Sequence, residues 1–311
     1  MTLTSPSYPT QTIVTDGSGN YSFTGLPSGN DYIVTPSKAS GVNGLESFDA
    51  SATARFVVGL DVPTATQRIA SDADDSGTPT SFDASLIARY VVGLPDYGIV
   101  TTWKFVPANR VYPTLSTNQT NQNSIAILVG ETSGNWISMG PFGAGDSSRI
   151  AFDAEMSEDS PQPSNGVTLS LPTVSALPGS NITIPVTVSD LSGYGVRAFD
   201  LDIEYDPSLI EPQAVPVDAV GALAAGMLIT ANPANPGHLI ISGFQTSELA
   251  GAGTLINLNF TVTGVPRQTA ALSFADHTDP NGVLHPGARF NAGSPMAAIM
   301  KGSVKIAGPG S

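Results

Sequence analysis

The chain has 311 residues, of which 41% are hydrophobic and only 12% are charged, and its formal net charge is −14. The length predicts roughly two to four domains, and an acidic surface of this kind attracts divalent cations but repels nucleic-acid phosphates. The absence of cysteine excludes disulfides and zinc–thiolate sites, and no apolar run reaches the ~18 residues of a membrane span.

Residues 1–37 alternate apolar and polar side chains around turn signals at 16–19 and 26–29. This alternation predicts short strands with Tyr21 and Tyr32 facing a core. A sheet of so few strands is not stable by itself, and we therefore expect another part of the structure to cover the edge of this sheet. The segment resembles the later strands of a carboxypeptidase-regulatory-like or B-type surface-protein β-sandwich.

An internal repeat at an offset of 34 residues is the clearest signal in the chain. SFDASATARFVVGL starts at Ser47 and SFDASLIARYVVGL starts at Ser81, with eleven of fourteen positions identical. Each copy has an acidic residue near its start, apolar residues on one face and a glycine at its end. This pattern predicts two short helices that pack together.

The twelve residues 72–83 have the spacing of an EF-hand loop that runs into the second helix. Ca²⁺ prefers hard oxygen ligands, and Gly77 stands where such a loop turns sharply. An acidic turn in which the last aspartate only caps the helix is the alternative. The predicted calcium ligands are Asp72, Asp74, Ser76, Thr78 (through its backbone carbonyl), Thr80 and Asp83.

The first copy of the repeat has a shorter loop. Asn43, Glu46 and Asp49 are its candidate ligands for a second calcium ion, and the alternative is a vestigial loop that keeps only the helix. A third fragment, 130–136, echoes the start of such a loop. Because no acidic residue follows at the right distance, we predict a plain β-turn there.

A calcium loop followed by a short helix, present twice, resembles a dockerin module over about residues 40–94. The resemblance implies that the ligands named for residues 72–83 bind calcium. It also implies that the residues beside the last ligand of each copy contact a protein partner. These residues are Ser47, Phe48, Ser81 and Phe82.

Residues 98–153 are predicted to form strands and turns, with Asn118 as a candidate glycosylation site in an exposed loop. Residues 154–166 are acidic and contain proline, which is typical of a linker. From 167 to 311, short alternating strands recur between turns, the pattern of an all-β sandwich. The order of VTLSLP, NITIPVTV, VRAFDLDIEYDPSL and GTLINLNF resembles a cohesin module over 167–307, and cohesins bind dockerins.

Three acidic residues, Asp200, Asp202 and Glu204, alternate along one strand of this segment. They lie on the side opposite Phe199 and Leu201. A solvated face is the simplest interpretation, and a partner face or a second ion site are the alternatives. The sequence carries no metalloprotease motif, nucleophile elbow or phosphate-binding glycine loop, so we predict no catalytic activity.

The expected fold is mainly β and multi-domain, with Ig-like or cohesin-like jelly-roll sandwiches and an EF-hand-like helix pair inserted at 38–97. The expected function is that of an extracellular or cell-surface structural protein with calcium as its cofactor. Its predicted partners are copies of itself, joined head to tail into a filament. Strand addition of residues 302–308 to the N-terminal sheet of a neighbour would extend that junction. The alternative is an excised anchoring module of a cellulosome-like complex that docks onto a separate cohesin- or dockerin-bearing protein.

Overall fold

The computed structural model describes residues 1–137, 166–278, 284–285 and 287–308. Short helices and many strands make up these ranges, so the predicted mainly β, multi-domain fold is confirmed. None of the described helices combines the length and the apolar character of a membrane span. The predicted linker up to residue 165 and the end of the 98–153 segment, from residue 138, lie outside the described residues.

Three helices lie in the middle of the N-terminal half: α1 (Ser47–Val57), α2 (Ala65–Ala70) and α3 (Ser81–Val91). Helices α1 and α3 are the two copies of the repeat, and they pack against each other. Helix α2 was not predicted. It starts with a capping box in which Gln67 N donates to Thr64 Oγ1 at 3.2 Å and Thr64 N donates to Gln67 Oε1 at 2.9 Å.

An antiparallel sheet forms the N-terminal end of the molecule in the order β2-β1-β3-β5. Its last strand comes from beyond the helices, and Tyr32 pairs with Tyr112 across the junction. The predicted cover of the sheet edge is therefore a strand of the same chain. The first six strands are β1 (Thr2–Thr4), β2 (Gln11–Thr12), β3 (Tyr32–Thr35), β4 (Trp103–Val106), β5 (Arg110–Tyr112) and β6 (Ile125–Leu128).

The two-stranded sheet of β4 and β6 and its flanking loops pack against the helices. Val100 and Leu128 are buried in one cluster with Ile87 of α3. Two backbone hydrogen bonds fix the contact, from Ile99 N to the Ala73 carbonyl at 2.8 Å and from Gly130 N to the Ala70 carbonyl at 2.7 Å. Residues 98–137 therefore belong partly to the sheet and partly to the helix pair.

The C-terminal half is a sandwich of two sheets. One sheet has the order β12-β13-β10-β15-β20-β8, with β18 also paired to β10, and the other has the order β11-β14-β9-β7-β19. Apolar side chains from the facing sides, among them Phe199, Ile203 and Phe260, fill the core. The strands are β7 (Val167–Ser170), β8 (Thr173–Ala176), β9 (Asn181–Val188), β10 (Ala198–Tyr205), β11 (Ile210–Asp218), β12 (Leu228–Asn232), β13 (His238–Phe244), β14 (Gly253–Val262), β15 (Thr269–Phe274), β16 (His277–Thr278), β17 (Leu284–His285), β18 (Ala288–Phe290), β19 (Ala297–Met300) and β20 (Gly302–Ile306).

Strand β20 corrects the prediction of strand addition. It lies inside its sheet, antiparallel to β15 on one side and parallel to β8 on the other. Val304 is fully buried. Both edges of the strand are already hydrogen-bonded, so donation to a neighbour would require breaking the sandwich.

A glycine in β13 allows the close packing of an aromatic ring. Gly243 pairs with Phe199 of β10, and a Cβ atom at position 243 would overlap the buried Phe199 ring. We expect Gly243→Ala to lower the free energy of unfolding by about 1–3 kcal/mol because the ring must leave its position. Urea unfolding measures this change. Gly226→Ala, whose Cβ would meet only Gln245 Oε1 at 3.7 Å, is the control, and an equal loss in both variants would contradict the prediction.

Candidate functional site

Three carboxylates converge in the loop between α2 and α3. Asp72, Asp74 and Asp83 each offer an oxygen, and these oxygens lie within 4.8 Å of one another. Within the described ranges, this is the one cluster of potential metal-ligating side chains that meets this spacing. Asp72 directly follows the C-cap of α2, and Asp83 lies in the first turn of α3, so the two helices fix both ends of the loop.

Backbone N–H groups orient the first two carboxylates. Asp72 accepts hydrogen bonds from Ser76 N at 2.9 Å and from Gly77 N at 3.0 Å. Gly77 has a φ of +95°, so the predicted sharp turn is present. Asp74 also accepts from Ser76 N, at 3.0 Å. Hydrogen bonds from Ser76 lower the pKa of Asp74, which keeps its carboxylate charged.

Asp83 both caps α3 and belongs to the cluster. One of its oxygens accepts from the Thr80 backbone N at 2.6 Å and from the Thr80 hydroxyl at 2.7 Å, and the other accepts from Asp74 N at 2.9 Å. Ser76, Thr78 and Thr80, the neutral predicted ligands, lie on the same loop. Carboxylates this close repel one another unless a cation or a proton lies between them, and such an oxygen set suits Ca²⁺.

The first copy of the loop uses its candidate ligands differently. Asn43 bonds the backbone of Ile137, accepting at 2.9 Å from its N–H and donating at 2.8 Å to its carbonyl. Asp49, the twin of Asp83, accepts from Thr132 N at 2.7 Å and from Ser133 N at 2.8 Å. Protein donors thus surround Asn43 and Asp49, and the second calcium ion stays a prediction from the sequence.

The loop at 131–135 supplies these donors, and the predicted plain β-turn is an incomplete description of it. Glu131 is buried, and its Oε1 accepts from Gly134 N at 2.6 Å and from Asn135 N at 2.9 Å. The Glu131 carboxyl group therefore holds the loop closed from within. This arrangement presents the N–H groups of residues 132 and 133 to Asp49.

Helix α1 lies against the outer face of the sandwich sheet that contains β10 and β13. Its first residue, Ser47, donates from both N (3.1 Å) and Oγ (3.0 Å) to Oδ2 of Asp200 on β10. The free N–H groups at a helix N-terminus carry partial positive charge, so a carboxylate is a favourable partner there. Burial raises the pKa of Asp200, and the two Ser47 donors act in the opposite direction.

Contacts continue along the same side of α1. Ser51 donates to the Gln245 carbonyl at 2.7 Å, and Arg55 donates to the Thr246 carbonyl at 2.6 Å. At the end of α3, the Val92 carbonyl accepts from Asn232 Nδ2 at 2.7 Å. These hydrogen bonds, with Ser47–Asp200, define what we call the docking surface.

Charged side chains complete the docking surface at the start of α1. Glu46 is buried, and its carboxylate lies 2.7 Å from Arg289 of β18 and accepts from Asn135 Nδ2 at 2.6 Å. Arg197 stacks on the ring of Phe48, 5.2 Å from its centroid. Two of the four predicted partner-contact residues, Ser47 and Phe48, therefore meet the sandwich, whereas Ser81 and Phe82 are exposed.

Part of the sandwich matches a known protein family. Residues 167–281 match the cohesin domain family. This match confirms the predicted cohesin-like sandwich over those residues, which are 115 of 311. No curated protein matches the chain.

Solved cohesins are similar to the same half of the chain. The sixth cohesin of scaffoldin B from Acetivibrio cellulolyticus, in complex with the Cel5 dockerin, is 24% identical, with a TM-score of 0.37, and the match covers 46% of this chain and 99% of that chain. A non-cellulosomal cohesin from Archaeoglobus fulgidus is 22% identical, with a TM-score of 0.36 and coverages of 46% and 93%. A type III cohesin of the ScaE scaffoldin from Ruminococcus flavefaciens is 18% identical, with a TM-score of 0.37 and coverages of 51% and 96%.

Asp200, Asp202 and Glu204 form an acidic stripe on β10 of the cohesin domain. This stripe is not a solvated face as a whole. Glu204 is exposed, but the Asp202 side chain is only 1% exposed and lies 3.1 Å from His238 Nδ1. Asp200 receives the N-terminus of α1. The solvated-face interpretation is therefore wrong for Asp200 and Asp202, because α1 covers the first and His238 of β13 covers the second.

Sequence reasoning missed Arg289, which no motif marks, and the structural role of Glu131. Arg289 lies in a short strand far from its partner Glu46 along the chain. Glu131 belongs to the fragment that echoes the calcium loop, and that echo was the available signal. Its acidic residue anchors a loop against α1.

Burial raises the pKa of Glu131 to about 8, and its hydrogen bonds from Gly134, Asn135 and Ser133 oppose that shift. In the unfolded chain the same group titrates near 4.5. The folded state therefore retains the Glu131 proton at higher pH than the unfolded chain does, so the stabilising contribution of this group is lost as pH rises from about 4.5 to about 8.

We expect Glu131→Gln to reduce the fall in stability between pH 5 and pH 8, because glutamine keeps the acceptor and removes the titration. Urea unfolding at both pH values measures the difference. Glu211→Gln, at an exposed position of β11, controls for the loss of a surface charge. An unchanged pH dependence in Glu131→Gln would contradict this account of the loop.

Proposed function

We propose that the chain is a non-catalytic assembly protein of the cell exterior, in which a dockerin-like helix pair is the ligand of the cohesin domain. The observation that carries the proposal is the docking surface, where α1 lies on the sheet that contains β10 and β13. The match to the cohesin family supports it, because the solved relative from Acetivibrio cellulolyticus is described in complex with a dockerin.

The contact joins two parts of one chain, and 28 residues, 138–165, connect them. A chain of this length spans at most roughly 95 Å when fully extended. Two linked partners meet at an effective concentration in the millimolar range, so the closed monomer is favoured in dilute solution. At higher concentration, the helix pair of one copy can occupy the cohesin domain of the next, and this head-to-tail exchange gives a linear polymer.

Calcium in this proposal stabilises the helix pair through the 72–83 loop. An ion on Asp72, Asp74 and Asp83 neutralises three converging charges and ties α2 to α3. Because α1 packs on α3, a firmly held α3 also supports the helix that docks. The exposed Asn118 remains a candidate glycosylation site, in keeping with the proposed extracellular location.

We expect the chain to bind one calcium ion tightly, and Asp83→Asn to weaken binding at least tenfold, about 1.4 kcal/mol. Calorimetric titration gives affinity and stoichiometry. Thermal unfolding gives a second readout, since a ligand at a hundredfold excess over Kd stabilises by about 2.7 kcal/mol. Asp16→Asn, at an exposed turn with no other carboxylate bonded to it, is the matched control. Two equivalent ions would instead support the second predicted site.

The docking surface predicts opposite effects for two twin serines. Ser51 is fully buried against the cohesin domain, whereas its repeat partner Ser85 is not part of the surface and bonds its own helix at the Phe82 carbonyl. We expect Ser51→Arg to separate the two halves, which raises the hydrodynamic radius of the monomer and abolishes calcium-dependent polymers. Ser85→Arg should keep the compact monomer and the calcium-dependent polymers of the wild type.

Sedimentation velocity across a concentration series, with calcium and with chelator, tests the proposal, and electron microscopy shows whether large species are linear. A wild-type chain that is monomeric in every condition would overturn the polymer. Polymers that persist in Ser51→Arg would show that another surface makes them.

The second candidate function is that of an anchoring module, in which the cohesin domain binds the dockerin of another protein. The family match favours it independently of the in-chain contact. Under this alternative, a purified dockerin module should bind Ser51→Arg more tightly than the wild type, because the variant has its cohesin surface free. No self-association should then appear at any concentration.

A further inference from the structure

The two helices of the repeat carry the same docking residues. Ser47, Ser51 and Arg55 of α1 contact the cohesin domain, and Ser81, Ser85 and Arg89 occupy the same repeat positions in α3. Because eleven of fourteen positions are identical, either helix offers nearly the same set of hydrogen-bond donors to the sheet. Something outside the shared positions must therefore decide which helix lies there.

The residue just before each helix differs in charge. Glu46 precedes α1, is 2% exposed, and forms the ion pair with Arg289 of the cohesin domain at 2.7 Å. Its twin, Thr80, is neutral, and its hydroxyl already donates to Asp83. If α3 took the place of α1, a threonine would face the Arg289 guanidinium.

The Glu46 side chain is buried and the Arg289 side chain is 24% exposed, so this contact lies at the partly covered edge of the docking surface. A buried charge without a partner is unfavourable because it has lost its water, whereas a well-placed opposite charge compensates the loss. Arg289 has a carboxylate partner when α1 docks and would have none from Thr80 in the reversed arrangement. The neighbouring Asp200 does not discriminate, because both helices begin with a serine that can bond it.

We propose that the Glu46–Arg289 ion pair selects α1 over its twin α3 as the helix that lies on the cohesin domain. The inference rests on the proposed function only in that it requires the in-chain docking contact. Glu46 is thus an orientation-determining residue, and it makes a nearly symmetric helix pair dock in one direction.

The orientation of the helix pair is measurable with introduced cysteines, because the chain has none of its own. Two double variants report it: Ser51→Cys with Gln245→Cys for α1, and Ser85→Cys with Gln245→Cys for α3. A short bismaleimide bridges a pair only when the two thiols are close, and peptide mass spectrometry counts the bridges. Dilute protein keeps the bridges within one chain.

In the otherwise unchanged chain, we expect the α1 pair to bridge at least about tenfold more than the α3 pair, the ratio that about 1.4 kcal/mol sets. Glu46→Thr gives both helices the same preceding residue and should raise bridging of the α3 pair severalfold at the expense of the α1 pair. Threonine is a good N-cap, so α1 keeps its start. Arg289→Gln should have the same effect from the other side.

Phe56→Tyr is the matched control, because it also makes copy one resemble copy two, at a position without charge. It should leave the bridging ratio unchanged. Bridging of the α1 cysteine pair alone in Glu46→Thr and Arg289→Gln would overturn the inference. Loss of both bridges in these variants would also overturn it, because the Glu46–Arg289 ion pair would then hold the contact without orienting it. Absence of both bridges in the unchanged background would instead overturn the docking contact, and with it the proposed function.

Discussion

The fold depends on how an acidic chain accommodates carboxylates that its packing buries. With a net charge of −14 and only 12 lysines and arginines, cations are too few to pair with them all. Backbone N–H groups take their place. Asp49 is held by the N–H groups of residues 132 and 133, and Asp200 by the first N–H of α1. Donors at loops and helix starts are strong partners for a carboxylate because their dipoles are fixed in position.

The two loops of the repeat are two solutions to this one constraint. Asp49 and Asp83 occupy equivalent positions and bond the backbone of their N-cap residues in the same way. In the first copy, the 131–135 loop supplies the further donors. In the second copy, two more aspartates converge instead, which concentrates negative charge in the loop. The two loops of the repeat therefore differ in what lies beside them: the 131–135 loop in the first copy, and two further aspartates in the second.

Local patterns made α1, α3, the sharp turn at Gly77 and the alternating strands of the cohesin domain predictable from the sequence. Contacts between distant segments were not predictable. Strand β5 closes the N-terminal sheet from about eighty residues beyond β3, and Arg289 meets Glu46 across more than two hundred residues. Strand β20 was mistaken for a free end because alternation alone does not distinguish an edge strand from an interior one. The acidic stripe was misjudged for the same reason, since its cover comes from another part of the chain.

Docking and the candidate calcium loop are connected through a continuous set of packed elements. The loop joins α2 to α3, α3 packs on α1, and α1 lies on the cohesin domain. The loops beside β4 and β6 support the same helices through hydrogen bonds to the Ala70 and Ala73 carbonyls, which lie on either side of Asp72. A cation that stiffens the loop acts on the helix that α1 leans against, not on the docking hydrogen bonds themselves. Under the proposed function, a cation would act on assembly through how rigidly α1 is held, because a preorganised helix loses less conformational freedom when it meets the sheet.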